Sequence, residues 1–354
     1  MSPSARIHSL DQFRGYTVAA MLAVNFLGGY TAVPAVLRHH YTYCSYADII
    51  MPQFFFAVGF SLRLVMLKAI KRSGRRSAYL RGVQRGFALI LFGCLFYQLD
   101  GHFKTWESLK ELGWSGFFAH SFRQSAFQAL THIGVTTLWV LPVIALSGRI
   151  RLGYLIASAG LHLALSHWFW YETLHEWRVI DGGLLGFLSW TIPTLAGALA
   201  YDWVRLSPGN TIRPLVLWGM ALMVLGYALS CLSGGGHWDS PPFFPPAREV
   251  DLWTMSQRAG SVSYLVFASG FALATYAFFV WITDLRGRQS NLFSQLGRNA
   301  FAAYVIHMII LVCFGRFAPR DAPLWYAVTL SGFGCWLSYL MTCWCNRREL
   351  FLRL

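Results

Sequence analysis

The chain has 354 residues, 56% hydrophobic, 17% aromatic and 12% charged, and 29 Lys and Arg against 15 Asp and Glu give a formal net charge of +14. A soluble domain carries roughly 25% charged and 45–50% apolar residues, so this composition excludes an ordinary soluble enzyme and calls for lipid as part of the solvent. In a soluble protein the basic excess would suggest a nucleic-acid partner, whereas in a membrane protein its distribution between loops sets orientation.

Crossing about 30 Å of hydrocarbon takes around 20 helical residues. Ten apolar stretches approach that length, at approximately 14–34, 47–67, 83–99, 126–146, 152–171, 183–201, 214–233, 261–282, 299–316 and 323–344. They predict an all-α, polytopic transmembrane helix bundle of about ten spans, forming a single integral-membrane domain over 1–354. The polar start, Met1 to Gly15, lacks the pattern of a cleavable signal, so the first helix is expected to be retained.

The first span begins with SLDQFRG, which carries Asp11 and Arg14, and contains Asn25. The outer loop after it holds Arg38, His39 and His40, followed by Tyr41, Tyr43 and Tyr46. The second span opens on Ala47, Asp48 and Pro52 and encloses Arg63. Lys68 to Arg85 is densely basic and is expected on the cytoplasmic side. That choice puts nineteen Lys and Arg on the cytoplasmic face with both termini, leaves nine outside, and assigns nearly all of the +14 to the inner surface, with Arg63 and Asp48 cancelling within the span.

Residues 100–125 are expected to form an amphipathic interfacial helix, because Trp106, Leu109, Leu112 and Phe117 recur at near-helical spacing. His132 begins the apolar part of the fourth span, and His162 and His167 near the outer end of the fifth are expected at the interface. Residues 234–258, with a GGG run and PPFFPP, are not expected to be regular, and loops of that length are often lids or binding loops. The ninth span reads LGRNAFAAYVIH and brings in Arg298, Asn299, Tyr304 and His307. The seven cysteines lie mostly in apolar stretches and read as small packing residues.

An ionisable side chain inside a span costs several kcal/mol unless paired, which marks these positions for function. Plainer roles exist for several of them. Asp11 and Arg14 are at ion-pair spacing on one helix, Asn25 can bond to a neighbouring helix, and Arg63 can snorkel to the headgroups. His39 and His40 differ in standing at a membrane boundary near a carboxylate, where a histidine titrates near neutral pH and can take a proton from an attacking amine or hydroxyl. No GxSxG elbow, HExxH or P-loop is present, and no metal is expected.

Six segments in order carry a resemblance: SLDQFRGYTVAAMLAVNFLGG, RHHYTYCSYADIIMPQFFFAVGFSL, GVTTLW, DGGLLGFLSWTIPTLAG, SQRAGSVSY and LGRNAFAAYVIH. Together they resemble the polytopic membrane acyltransferases similar to heparan-alpha-glucosaminide N-acetyltransferase, as a bacterial relative. The resemblance implies that acetyl-CoA enters from the cytoplasm while an amino sugar or other glycan acceptor waits on the far side. It also implies that a histidine of the first outer loop and an asparagine of the first span carry the chemistry, matching His39 and Asn25. The spacing from that histidine to the Ala-Asp pair is one residue shorter here, which keeps His40 as a rival. Thr131-His132 replaces the family's Gln-Arg, and the segment after the histidine is Tyr-rich, so an acceptor other than heparan is expected.

On this reading His39 is the general base with His40 as alternate. Asn25 positions the thioester carbonyl or donates to its oxyanion, and Asp48 holds the imidazole. Arg14 and Arg298 sit in the matching motifs at helix ends and are expected to meet the CoA phosphates, with Asn299 beside them. Asp11, His132, Arg258, Tyr304 and His307 are expected along the substrate path. The partners expected are acetyl-CoA, a sugar or glycan acceptor and the bilayer, with no nucleic acid, and a homodimer is compatible with them. The expected location is the bacterial inner membrane. O-acetylation of an envelope polysaccharide, or a non-catalytic transporter or binding protein on the same fold, are the alternatives. No inverted repeat supports the transporter.

Overall fold

In hydrocarbon every backbone N–H and C=O must be satisfied within its own segment, so long apolar runs have only the helix or the closed barrel available. The computed structural model describes residues 7–97, 105–124, 127–177, 179–206, 210–232, 242–247 and 249–351, and among these it is helical with no strand. The helices are α1 His8–Leu27, α2 Ile50–Tyr97, α3 Trp106–Gln124, α4 Ala129–Ile144, α5 Gly148–Leu165, α6 Tyr171–Trp177, α7 Gly186–Leu206, α8 Ile212–Ser230, α9 Val262–Phe279, α10 Asn291–Arg298, α11 Ala300–Phe314 and α12 Leu324–Arg347. Among the described residues five helical stretches are long and apolar enough to cross a membrane by length and composition alone: Ile50–Phe96, Gly183–Arg205, Ile212–Ser230, Val262–Leu285 and Ala300–Phe317. The protein is an integral, multi-pass helical bundle.

The second and third predicted spans join into α2, whose 48 residues would extend about 72 Å if straight, more than twice the hydrocarbon thickness. The run breaks at Gly74 (φ 77, ψ 165). Residues between the two apolar halves stay helical because Lys, Arg, Ala and Leu are good helix formers in water. The first predicted span shifts earlier, since SLDQFRG continues the helix and α1 ends at Leu27. Residues beyond Gly28 form an outer loop in which Tyr30 and Val33 are buried against Ala322 and Ala327. The expected interfacial helix is present as α3, interrupted at Gly113 (φ 64).

α7 sits at the centre, with 78% of its most apolar window buried, while α8 lies at the rim with 17%. Side chains such as Val224, Val312, Trp325 and Trp336 point outward, as a lipid-facing surface requires. α2 and α7 cross where each helix has a glycine. A Cβ at Gly59 would overlap the Thr194 carbonyl, and one at Gly197 would overlap the Phe56 carbonyl. Small residues of this kind let backbones approach in membranes, where dispersion between packed helices replaces the hydrophobic drive. Phe13, Phe56, Phe60 and Tyr276 fill the layer beside this crossing. Phe55 stacks on Trp190 at 4.5 Å in the layer nearer the outer loops.

The expectations for Arg63 are corrected. Arg63 does not offset Asp48 or snorkel: its Nε donates to Asp202 Oδ1 at 3.2 Å and its Nη1 to the Ile144 carbonyl at 2.7 Å. Arg151 binds the other oxygen of Asp202. His162 is buried within the protein, one turn beyond Ser158, whose hydroxyl donates to the Leu188 carbonyl at 2.7 Å. His167, on the following turn, is exposed.

Candidate active site

Asp48 stands in the turn that leads into α2 and is fully buried. Burying a carboxylate is tolerable only when its lone pairs are filled, and here each oxygen is bound. Oδ2 accepts from the Ser45 N–H at 2.9 Å, the Ser45 hydroxyl at 2.8 Å and the His40 N–H at 3.3 Å. Oδ1 is 2.9 Å from His39 Nδ1. The Tyr264 hydroxyl donates to the Asp48 carbonyl at 2.6 Å, tying this turn to the start of α9.

The Nδ1–H of His39 thus points at Asp48, which fixes the tautomer and leaves Nε2 as the basic nitrogen. The side chain is 40% exposed. Burial of the ring pulls its pKa down, but the hydrogen bond and charge of Asp48, then the charge of Asp181 and a hydrogen bond that the ring donates to Gln257, more than offset this. The net result is raised above the ordinary value. His40 is arranged differently. Its Nε2–H donates to the Ala35 carbonyl at 2.7 Å and its ring stacks on Tyr43 at 4.2 Å, so only its main chain meets Asp48.

A second carboxylate faces the same histidine. Asp181 precedes two glycines and adopts a left-handed backbone (φ 58), which turns the chain sharply into α7. Its carbonyl accepts from Trp190 Nε1 at 2.7 Å, and its Oδ1 accepts from Gln257 Nε2 at 3.0 Å. Burial pushes the Asp181 carboxyl up to about 7, although Gln257 and the charge of His39 pull it down and Asp48 adds a further rise. The Gly182 N–H donates to the Arg258 carbonyl at 2.8 Å, so the DGG turn and the SQRAG loop lock together. Arg258 lies over the Tyr41 ring at 4.0 Å, close enough for a cation–π contact. The Cys44 N–H donates to the Pro242 carbonyl at 3.0 Å, bringing the segment around Pro242 beside this cluster.

The expected residues fall into three groups. His39, His40, Asp48 and Arg258 meet in the cluster just described. His132 is fully buried below it, between Phe127 at 5.7 Å and Trp190 at 6.3 Å. Asn25, Tyr304 and His307 form a second cluster between α1 and α11. Asn25 Nδ2 is 3.0 Å from His307 Nε2, and His307 Nδ1–H donates to the Tyr304 carbonyl at 2.5 Å. The structure therefore joins Asn25 to His307, the helix-bridging bond that its position within a span allows. Asp11, Arg14, Arg298 and Asn299 lie at the opposite ends of α1, α10 and α11. There Asn299 Nδ2 donates to the Leu350 carbonyl at 2.9 Å, Arg298 is exposed, and Arg14 is near enough to Arg85 for their charges to oppose.

Ser45, Asp181, Gln257 and Tyr264 are site residues that the sequence reading did not single out. Two signals lay within segments already noted: a carboxylate followed by two glycines, and a glutamine three residues before a glycine.

The site thus sets a carboxylate-oriented histidine in a loop of a multi-pass helical bundle. The chain matches the family described as Acyltransferase domain over residues 7–343, nearly its full length, and belongs to that family of membrane acyltransferases. No curated protein gives a match.

Proposed function

We propose that the protein transfers an acetyl group from cytoplasmic acetyl-CoA to an amino sugar or other glycan acceptor on the opposite face of the membrane, as its resemblance to the heparan-alpha-glucosaminide N-acetyltransferases implies. The observation that carries this reading is the His39–Asp48 pair, in which Asp48 holds Nδ1 of a histidine whose side chain is 40% exposed. His39 takes the proton of the attacking amine or hydroxyl, the new C–N or C–O bond forms as the thioester C–S bond breaks, and CoA leaves as a thiolate that is then protonated. Asp48 holds the ring and stabilises the imidazolium. Tyr41, Arg258, Gln257 and Asp181 supply the aromatic face, donors and acceptors that a sugar needs. Arginines such as Arg14 and Arg298 suit the CoA phosphates, because a guanidinium fork binds phosphate bidentately.

The test incubates purified protein in detergent with radiolabelled acetyl-CoA and a panel of amino sugars and envelope oligosaccharides. Label should reach an amino sugar only when both substrates and protein are present. Saturable movement of an uncharged sugar in proteoliposomes, without any dependence on CoA, would establish a transporter instead.

The pH profile follows from the signs of the shifts. A base must be neutral to work, so kcat/KM should fall as pH drops through the raised pKa of His39, placing the acid limb above the ordinary histidine value of 6.5. Asp181→Asn removes a negative charge that favours the imidazolium, so its acid limb should move to lower pH. An acid limb that stays in place in this variant would separate Asp181 from the titration of His39.

A further inference from the structure

The arginines buried inside the bundle are paired, since Arg63 and Arg151 share Asp202. Two arginines beside His39 are not. Among the described residues the guanidinium groups of Arg38 and Arg258 have no hydrogen-bond or ion-pair partner. In each the Nε is shut off from solvent, while the two terminal nitrogens stay open to it and unbound. The carboxylates of the cluster are already engaged, Asp48 by Ser45, His40 and His39, and Asp181 by Gln257. Both forks are thus left with donors that no acid of the cluster takes up.

Their place is fixed by the histidine. Arg258 follows Gln257, whose amide donates to Asp181 Oδ1 at 3.0 Å and accepts from the His39 ring, and the Arg258 carbonyl takes the Gly182 N–H at 2.8 Å. The Arg258 guanidinium lies over the Tyr41 ring at 4.0 Å. Tyr41 is two residues on from His39, at most about 7 Å along the chain, and is 44% exposed. Arg38 immediately precedes His39, and its charge acts on the Tyr43 hydroxyl. A guanidinium resting on a ring has given up rotamer freedom before any ligand arrives, so it loses less on binding. Its planar edge matches a carboxylate or phosphate through two parallel N–H···O bonds.

We propose that Arg258, held on Tyr41, grips an acidic group of the acceptor, with Arg38 adding a second positive charge, so that the acceptor is an anionic sugar or glycan with a carboxylate or phosphate near its reacting amine or hydroxyl. The inference rests on the transfer reading above and narrows its acceptor to one chemical class. A neutral sugar in this site leaves both guanidinium groups unmatched, whereas an acidic one supplies the partner that Asp48 and Asp181 do not. The two arginines make and break no bond. They hold the acid group while His39 takes the proton, so charge selection and chemistry fall to different side chains.

The test compares acceptors that differ in charge at nearly constant shape, each with radiolabelled acetyl-CoA. Muramic acid is set against its methyl ester for the carboxylate, and glucosamine phosphorylated on its primary hydroxyl against glucosamine itself for the phosphate. Wild type should favour at least one acid over its match by tenfold or more in kcat/KM, and the pair that shows the preference tells carboxylate from phosphate. Arg258→Gln should lower that ratio at least fivefold. Arg258→Lys should keep part of it, because the charge remains and the fork is lost. Tyr41→Leu provides an independent variant that removes the platform and leaves the charge, and it should lower the ratio at least threefold.

A wild type that acetylates acids and their matches alike, or an acid preference that neither Arg258→Gln nor Tyr41→Leu moves, would overturn the anionic site while leaving acetyl transfer standing. The opposite failure is distinguishable by thermal unfolding. If no acceptor is labelled, yet an acid of the panel raises the melting temperature more than its match and Arg258→Gln abolishes the difference, the anionic site stands and the transfer reading falls. With neither transfer nor such a shift, both fall.

Discussion

His39→Ala is expected to lower acyl transfer by about 100- to 10,000-fold, the range that a positioned general base contributes, whereas His40→Ala should leave the rate near wild type. The two residues are neighbours of the same type, so composition and spacing treat them alike. Their hydrogen bonds do not. His39 gives Nδ1–H to a buried carboxylate and keeps Nε2 for a substrate, while His40 spends Nε2–H on the Ala35 carbonyl and lays its ring on Tyr43. Asp48→Asn should fall between the two, because an amide can still hold the ring but cannot stabilise the imidazolium by charge. Initial rates of label transfer with the purified variants provide the measurement, with circular dichroism to confirm that each is folded. A severe loss in His40→Ala beside near-normal activity in His39→Ala would move the base by one residue.

Much of the fold could be read in advance because lipid removes alternatives. A run of about twenty apolar residues has to be helical there, so hydropathy and length find the spans with little help from tertiary context. The differences arose where polar sequence continues a helix into water, as in SLDQFRG and in the stretch on either side of Gly74. Nothing in hydropathy marks those residues as helical.

At the site, His39 and Asp48 were legible because they are nine residues apart and carry recognisable chemistry. Gln257 reaches Asp181 from 76 residues away and Tyr264 reaches Asp48 from 216, and no spacing rule connects such pairs. The same limit explains Arg63, whose carboxylate partner Asp202 lies 139 residues further along the chain.

Asp202→Ala is expected to destabilise the protein by about 3–5 kcal/mol, the usual consequence of removing one partner from a buried charge cluster. In a chain of this size that corresponds to a fall of roughly 5–10 °C in the melting temperature. Asp202 accepts from Arg63 through both oxygens, at 3.2 and 3.4 Å, and also binds Arg151, whose side chain is fully buried. Without the carboxylate two guanidinium groups would face each other, with the Ile144 carbonyl as the remaining partner of Arg63 among the bonds described here.

The cluster ties α2 and α5 to one end of α7, while Asp181 guards the other end, about 30 Å away along 21 residues. That separation gives the prediction a second readout: Asp202→Ala should melt early in detergent while each molecule still folded transfers at a rate close to wild type. The compensated triple variant Arg63→Met, Arg151→Met, Asp202→Leu should recover most of the lost stability, since replacing a buried ion cluster with apolar side chains of similar volume is often neutral or stabilising. If Asp202→Ala melts with wild type, the three charges do not hold these helices together. If the triple variant melts as early as the single one, the loss comes from packing around Asp202 and the unpaired guanidiniums are not its cause.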